Sequence, residues 1–353
     1  MRVRGRTTAL AAMLMGLGLG LLAAAGAHAQ DLRQFRIGTG STAGTYFPIG
    51  ALIATAISRP PGSAPCGEGG ACGVDNLLAA AVTSLGSTDN IEGIFSGRFD
   101  SGLAQADVVA WAFHGTRVFG GNKAFPDIRV IANLYPEHVH LVVRRNRGML
   151  SVANLRGKRV AIDRVGSGTR INAEVILGGY GLRPKNYTGV DFGPEEAIGA
   201  LLDDRIDAAF FVVGYPSAAV RELMESGEFT LAAIAGPEAD RLVKANPYYA
   251  ASAIPPGVYD GVGVVPTLSV GALWVVGKDA DEELIYRITG AFWNQANRKL
   301  LDTGHAKGRQ IRLESALDGI SAPLHPGAAR FYREQGMIDE DRQATAPDAS
   351  ARE

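Results

Sequence analysis

The chain has 353 residues, 46% apolar and 20% charged, which is enough for about two domains. Thirty-five Lys and Arg against 36 Asp and Glu exclude a bulk electrostatic case for nucleic acid or an acidic membrane surface. Its 45 glycines show no fixed period, which excludes collagen and low-complexity sequence.

Arg2, Arg4 and Arg6 precede the small apolar run Ala9–Gly26, and Ala27-His28-Ala29 reads as an A-x-A cleavage site. This predicts a secretory signal peptide over residues 1–29, cleaved after Ala29, and a periplasmic protein. No later run reaches the eighteen apolar residues of a membrane span. Phe35–Thr39 reads as a strand, followed by a turn and a helix over Thr45–Ser58. In that helix Tyr46, Ile49, Leu52, Ile53 and Ile57 share one face, and Arg59-Pro60-Pro61-Gly62 stops it. The two cysteines, Cys66 and Cys72, predict one disulfide in an oxidising compartment, worth about 2 kcal/mol for so short a loop. Read as a metal site, they are half a zinc site with no nearby His.

Phe99–Ala106 carries a short strand and Asp107–His114 a helix. Strands are predicted at Asp127–Leu134, Val139–Arg144, Arg159–Asp163, Ala208–Val213 and Thr267–Val276. Helices are predicted at Thr169–Gly178, Glu195–Leu202 and Asp281–Asp302. The alternation predicts α/β layers with mostly parallel sheets.

Two strand–turn–helix joints echo each other. Gly40-Ser41-Thr42-Ala43-Gly44-Thr45 follows the first strand, and Val165-Gly166-Ser167-Gly168-Thr169 follows Arg159–Asp163. Each places Gly, Ser and Thr at a helix N-terminus, whose unpaired N–H groups and partial positive charge suit an anion. Capping alone would explain either joint, whereas the pair suggests two lobes facing one ligand. Gly38, Gly40 and Ala43 also fit the dinucleotide fingerprint. That reading needs an acid on a second strand about twenty residues on, where Ser58-Arg59-Pro60-Pro61-Gly62-Ser63 has none. Neither Ser41 nor Ser167 sits in G-x-S-x-G. His138 and His140 share a strand face with Glu137 alone at ligand spacing, so a structural or ligand-lining role outweighs metal. Tyr46, Tyr135 and Tyr215 stand near joints or strand ends, where open α/β sheets bind ligands. Glu137 is a candidate partner for an ammonium group on the ligand.

The segments IGTGSTAGTYFPIGALIA, LYPEHVHLVVRR, LRGKRVAIDRVGSGTRINAEVIL, IDAAFFVVGYPSAAVREL and PTLSVGALWVV resemble the TAXI-type solute receptors of TRAP transporters, over about residues 35–333. The resemblance implies a two-lobed periplasmic binding protein of type II-like α/β fold. Each lobe is then a central β-sheet flanked by helices, with the ligand in the interlobe cleft. It implies capture of a small organic acid, a glutamate-like amino acid or a dicarboxylate or 2-oxoacid, for a sodium-coupled TRAP membrane permease. The family's ligand contacts match Gly40, Ser41, Thr42, Thr45 and Tyr46 in the first joint, and Gln105 after the next strand. In the second lobe they match Ser167, Gly168, Thr169, Asn172 and Tyr215. The cysteine loop, residues 59–73, departs from many relatives, and the resemblance implies no family-wide basic residue where Arg164 and Arg170 flank the second joint. The expected division is lobe 1 over 30–142 and 270–337, lobe 2 over 143–269, and a frayed tail over 338–353. The expected state is a monomer with no cofactor, no metal, no catalysis and no nucleic-acid partner. The alternatives are an exported enzyme acting on a small acid in the same cleft, or a ligand-binding accessory of a membrane sensor kinase.

Overall fold

The computed structural model describes residues 32–339 apart from 67, 69–71 and 122. The expected signal peptide and its cleavage after Ala29 lie outside the described residues, as does the expected tail past 339. Phe35 and Ile37 point inward from β1 (Arg33–Gly38). Ile49, Ile53 and Ile57 form the buried stripe of α1 (Tyr46–Ile57), as their spacing requires. The chain continues through β2 (Ser58–Arg59), β3 (Val74–Asp75), β4 (Leu77–Val82), α2 (Ser87–Phe95), β5 (Ser101–Gln105) and α3 (Ala106–His114). Next come β6 (Ile128–Arg144), β7 (Arg159–Ala161), α4 (Gly168–Gly179), β8 (Thr188–Val190), α5 (Pro194–Leu202) and β9 (Ala208–Val213). The rest is α6 (Ala218–Glu225), β10 (Phe229–Ala232), α7 (Pro237–Ala245), β11 (Tyr249–Ile254), β12 (Val265–Gly277), α8 (Glu282–Phe292), α9 (Arg298–Gly304) and α10 (Pro326–Glu334).

The strands are ordered β3-β2-β4-β1-β5-β12-β6-β9-β7-β8, with β10 on β6 and β11 on β12. β1 is parallel to β4 and β5, and β7 is parallel to β8 and β9. Between these two parallel blocks, β12 and β6 run antiparallel to each other and to their outer neighbours β5 and β9. The sheet is therefore mixed, where the alternation of elements predicted mostly parallel. The difference comes from the two long central strands: β6 has 17 residues, pairing β12 along its first part and β9 along its second, and β12 has 13 and pairs β5 on its other side.

Two sequence readings are corrected here. Asp127–Leu134 and Val139–Arg144 are not separate strands but one, β6. Pro136 does not end it: Pro136 faces Gly271 next to a bulge in which Leu134 is the extra residue, and proline is tolerated at such irregularities. Asp281–Asp302 is not one helix. α8 ends at Phe292, and Asn294 accepts from the Ala296 N–H at 2.9 Å, starting a new turn in place of the helical ladder. Asn297 then donates to Ala56 O at 3.1 Å and Ala291 O at 2.7 Å, tying this corner to the end of α1.

The larger buried apolar cluster runs from β1, β5, β12 and β6 on through β7, α4 and the β9 residues Ala208, Phe210 and Val212, with Trp274 fully buried and donating to Ser101 Oγ at 3.0 Å. A second cluster, including Val142, Leu201, Phe211, Leu223 and Phe229, lies under β9, α5 and α6. Cys66 and Cys72 are joined in the expected disulfide.

Candidate functional site

β1 ends at Gly38, and residues 39–45 turn the chain into α1. Thr39 Oγ1 donates to Val82 O at 2.7 Å, fixing this turn to the end of β4. Asn90, buried on α2, donates to Thr39 O at 2.6 Å and Leu103 O at 2.8 Å, so the ends of β1 and β5 are held side by side. Gly38 is demanded by packing, since a Cβ there would enter the Phe99 ring and the Asn90 side chain. Gly40 is not: its nearest neighbour would be a Tyr46 atom at 3.7 Å. In the second joint Ser167 caps α4, accepting from the Thr169 N–H at 3.1 Å and donating to Asp163 Oδ2 at 2.7 Å. Thr169 Oγ1 accepts from the Val212 N–H at 3.2 Å, locking α4 onto β9.

The two joints meet around a cavity of about 90 Å³. Four helix N-termini border it: α1 with Gly44, Thr45 and Tyr46, α2 with Ser84, Leu85, Gly86 and Ser87, α4 with Ser167, Gly168 and Thr169, and α5 with Gly193, Pro194 and Glu195. Gln105, Glu137, Val212 and Val213 complete the lining with Gly40, Ser41, Asp163 and Arg164. Several bonds cross between the blocks here. Ser41 Oγ donates to Glu195 Oε1. Thr45 Oγ1 donates to Gly214 O at 3.2 Å and accepts from Gly214 N–H at 3.0 Å. The Asp89 N–H donates to Gly166 O at 3.0 Å.

Of the residues expected from sequence, Gly40, Ser41, Thr45, Tyr46, Gln105, Glu137, Ser167, Gly168 and Thr169 border this cavity. Thr42 is exposed and outside the lining. Asn172 stands one layer behind, its Nδ2 donating to Gln105 Oε1 at 2.9 Å, Asp107 Oδ2 at 3.0 Å and Gly168 O at 3.0 Å. Tyr135 lies within β6 rather than after a strand, fully buried beside Glu137. Tyr215 lies outside the lining, its ring 4.5 Å from that of His138 and 3.8 Å from Lys307 Nζ. Sequence reasoning missed the α2 joint, Asp163, Glu195 and the buried Lys307. The α2 joint carries the same Gly-Ser signal, in Gly86-Ser87, but alanine-rich β4 before it gives little strand propensity to frame it.

The lining is rich in acids. Glu137, Asp163 and Glu195 face one guanidinium, Arg164, which pairs with Glu196 at 2.8 Å. Burial raises the Asp163 carboxyl above its usual range. Glu137 is 2% exposed, and burial pushes its pKa up to about 8 against the opposing influence of Tyr46, Gln105 and Lys307. Although Tyr46 faces Glu137, neither the Tyr46 hydroxyl nor Glu137 Oε2 makes a hydrogen bond of normal geometry. Burial lowers Lys307 to about 8, and its Nζ donates to Gln310 Oε1 at 3.0 Å. Behind the cavity, burial raises Asp107 to about 6, although Tyr249 donates to it at 2.8 Å and the Val108 N–H at 2.8 Å. His138 and His140 are lowered by burial to about 3 and 4, which leaves both neutral. Among the described residues no group of three His, Cys, Asp or Glu is set to hold a metal. Chemically, the helix ends can hold an anion by N–H groups alone, and the acids offer acceptors to a donor. Ser41 and Ser167 are each bound to a carboxylate, and no His lines the cavity to serve as their base.

The model of the NMT1-like family matches residues 37–336. PhnD1 from Prochlorococcus marinus, solved in complex with methylphosphonate, is 13% identical with a TM-score of 0.50, over 86% of this chain and 99% of that one. A protein from Bordetella bronchiseptica is 15% identical with a TM-score of 0.48, over 89% and 90% of the two chains. The alkanesulfonate-binding protein SsuA from Xanthomonas axonopodis pv. citri, bound to MOPS, is 15% identical with a TM-score of 0.43, over 88% and 96%. The fold is that of the two-lobed periplasmic binding proteins, as the sequence predicted, with β6 and β12 between the two parallel blocks.

Proposed function

We propose, from the premise that the chain belongs to the NMT1-like family, that it is a periplasmic solute-binding protein that captures a small organic acid between its lobes and delivers it to a membrane permease. The observation that carries this reading is the convergence of four helix N-termini, from both parallel blocks, on one small cavity. Each end contributes unpaired N–H groups and about half a positive charge, so an anion is held without a dedicated Lys or Arg. The ligand class is a glutamate-like amino acid, or a dicarboxylate or 2-oxoacid. The sequence resemblance to TAXI-type receptors supports a TRAP-type sodium-coupled permease as the partner. Lobe 1 then comprises 30–142 and 270–337, lobe 2 comprises 143–269, and closure bends β6 and β12.

Isothermal titration of the purified protein with L-glutamate, 2-oxoglutarate and C4-dicarboxylates tests the reading. Saturable binding of at least one acid is expected, and absence of binding by all of them at millimolar concentration overturns it. Reconstitution with a TRAP permease in liposomes tests the partner, with sodium-driven uptake expected only when the protein is present.

A further inference from the structure

The formal net charge of −1 hides an uneven distribution. Residues 146–162 and 175–190 contain no Asp or Glu, yet carry Arg147, Arg156, Lys158, Arg159, Arg183 and Lys185. The fold brings the two segments together. The Gly157 N–H donates to Asn186 O at 2.7 Å and the Thr188 N–H to Lys158 O at 2.8 Å, and Arg159 stands in register with Thr188 where β7 meets β8. These cations therefore gather at the N-terminal ends of β7 and β8. The cavity lies at the other end of β7, beyond Asp163.

Only part of this charge is neutralised. Arg147 pairs with Asp204 at 2.9 Å, and Arg159 with Asp207 at 3.0 Å. Lys158 feels Asp207 without pairing with it. Among the described residues Arg156, Lys158, Arg183 and Lys185 make no ion pair, while their neighbours Arg144, Arg147 and Arg159 share the acids at hand. Arg156, Arg183 and Lys185 are exposed and Lys158 is half-buried. Leu150 projects from the same pole. Its N–H donates to Asn154 Oδ1 at 3.2 Å, so it belongs to the turn that delivers Arg156, and at 75% it is the most exposed large apolar residue among those described.

Four unpaired like charges on adjoining turns repel one another, and an anionic partner relieves that repulsion. The residue types point to the kind of partner. A protein partner is usually gripped by aromatic anchors in a pocket, but the aromatic of these two turns, Tyr187, packs against the core. A bilayer asks for something else: long cationic side chains that reach the headgroups, and an aliphatic tip that enters the boundary with the acyl chains. We infer that this pole, with Arg156, Lys158, Arg183 and Lys185 around Leu150, docks on an anionic phospholipid surface. The cavity at the opposite end of β7 then stays in solvent, so docking and solute capture do not compete.

The experiment is cosedimentation of the full chain with vesicles of mixed phosphatidylglycerol and phosphatidylcholine. The wild-type protein is compared with Arg156→Glu/Lys185→Glu and with Leu150→Ala. Residues 1–29 carry an apolar run of their own, the same in all three chains, so the difference between chains is what is read. At about fivefold per basic residue near an anionic surface, the double variant should bind about 30-fold more weakly. Leu150→Ala should lose about tenfold. The loss in the double variant should vanish on vesicles of phosphatidylcholine alone, and also when salt is raised from about 0.05 M to about 0.5 M. The substituted side chains are exposed, so the melting temperatures should match. A double variant that binds anionic vesicles as tightly as the wild type overturns the docking, and an unchanged affinity in Leu150→Ala overturns the insertion. Poly-L-glutamate that binds the patch more tightly than the vesicles do makes an acidic protein the partner, and the membrane reading falls.

Discussion

Thr45 shows what one side chain can do beyond its expected role. It borders the cavity, but its hydroxyl also closes a two-way tie with the N–H and C=O of Gly214 in the other parallel block. Thr45→Val keeps the shape and leaves both buried groups of Gly214 unpaired, at a cost of about 1–3 kcal/mol. Urea unfolding of the ligand-free protein should show a lower midpoint at unchanged slope, and an unmoved midpoint refutes the tie. The buried acids make a second residue-scale expectation. Glu137 at about 8 and Asp107 at about 6 are raised above their unfolded values, so their stabilising contribution is full below about pH 4 and is lost as pH rises through 6 and 8. His138 and His140, at about 3 and 4, act oppositely, and their contribution is lost as pH falls below 6.5. Lys307, lowered to about 8, adds stability only as pH rises above 8. Between pH 6.5 and 8 the downward slope is mainly that of Glu137. The melting temperature of the ligand-free protein should fall across that window, and Glu137→Gln should flatten the fall. A wild-type profile that rises instead contradicts the burial of Glu137 as its cause. Residue roles of this kind were only partly legible. The sequence singles out Thr45 and Glu137 by their places near the first joint and in β6. It says nothing of Lys307, because an isolated lysine carries no pattern that announces burial.

Among the elements, the strand–turn–helix joint is the unit that builds the site. The joints before α1 and α4 were legible because Gly, Ser and Thr cluster between an apolar strand and an amphipathic helix. The joint before α2 was not, since Leu77–Val82 is half alanine and does not read as a strand alone. Its place is fixed by tertiary contacts: Ser87 Oγ accepts from the Gln105 N–H at 3.1 Å, and Gly86 holds φ at 118°, a conformation left to glycine. The α2 and α4 ends approach so closely that a Cβ on Gly168 would enter Gln105 Oε1 and Ser87 Oγ. Gly168 has no need of its own for a positive φ, so Gly168→Ala tests the approach and not the backbone. This variant should keep its melting temperature within a few degrees, bind ligand about tenfold or more weakly, and show a larger radius of gyration by X-ray scattering in the presence of ligand. Wild-type affinity in Gly168→Ala means that the close packing of these ends is not needed for capture. The same dependence on neighbours explains the misread helix after Asp281, where Asn294 and Asn297 bond to backbone far along the chain and periodicity alone continues the helix.

The whole molecule is organised by two long strands that lie between the two parallel blocks. The alternation of strands and helices made the α/β class legible, and the two echoing joints suggested two lobes. The mixed sheet was not legible, because strand direction depends on which segments pair, and β6 was read as two short strands on either side of Pro136. With β6 and β12 central, the parallel blocks are joined through one ladder, and a few polar ties such as Ser41–Glu195 and Thr45–Gly214 cross between them at the cavity. Opening should therefore cost less than unfolding, since it breaks those ties and leaves the second apolar cluster intact. Hydrogen–deuterium exchange resolves these levels. Amides of β6 and β12 should exchange slowest with or without ligand, at the rate of global unfolding. A bound acid should slow exchange together at residues 44–47, 86–89, 167–170 and 195–198, because all four helix ends meet the same anion. Pro194 has no N–H, so the α5 response must come from the residues after it. Protection confined to one block would mean that the ligand sits on a single lobe, and the convergence of helix ends would then reflect capping alone.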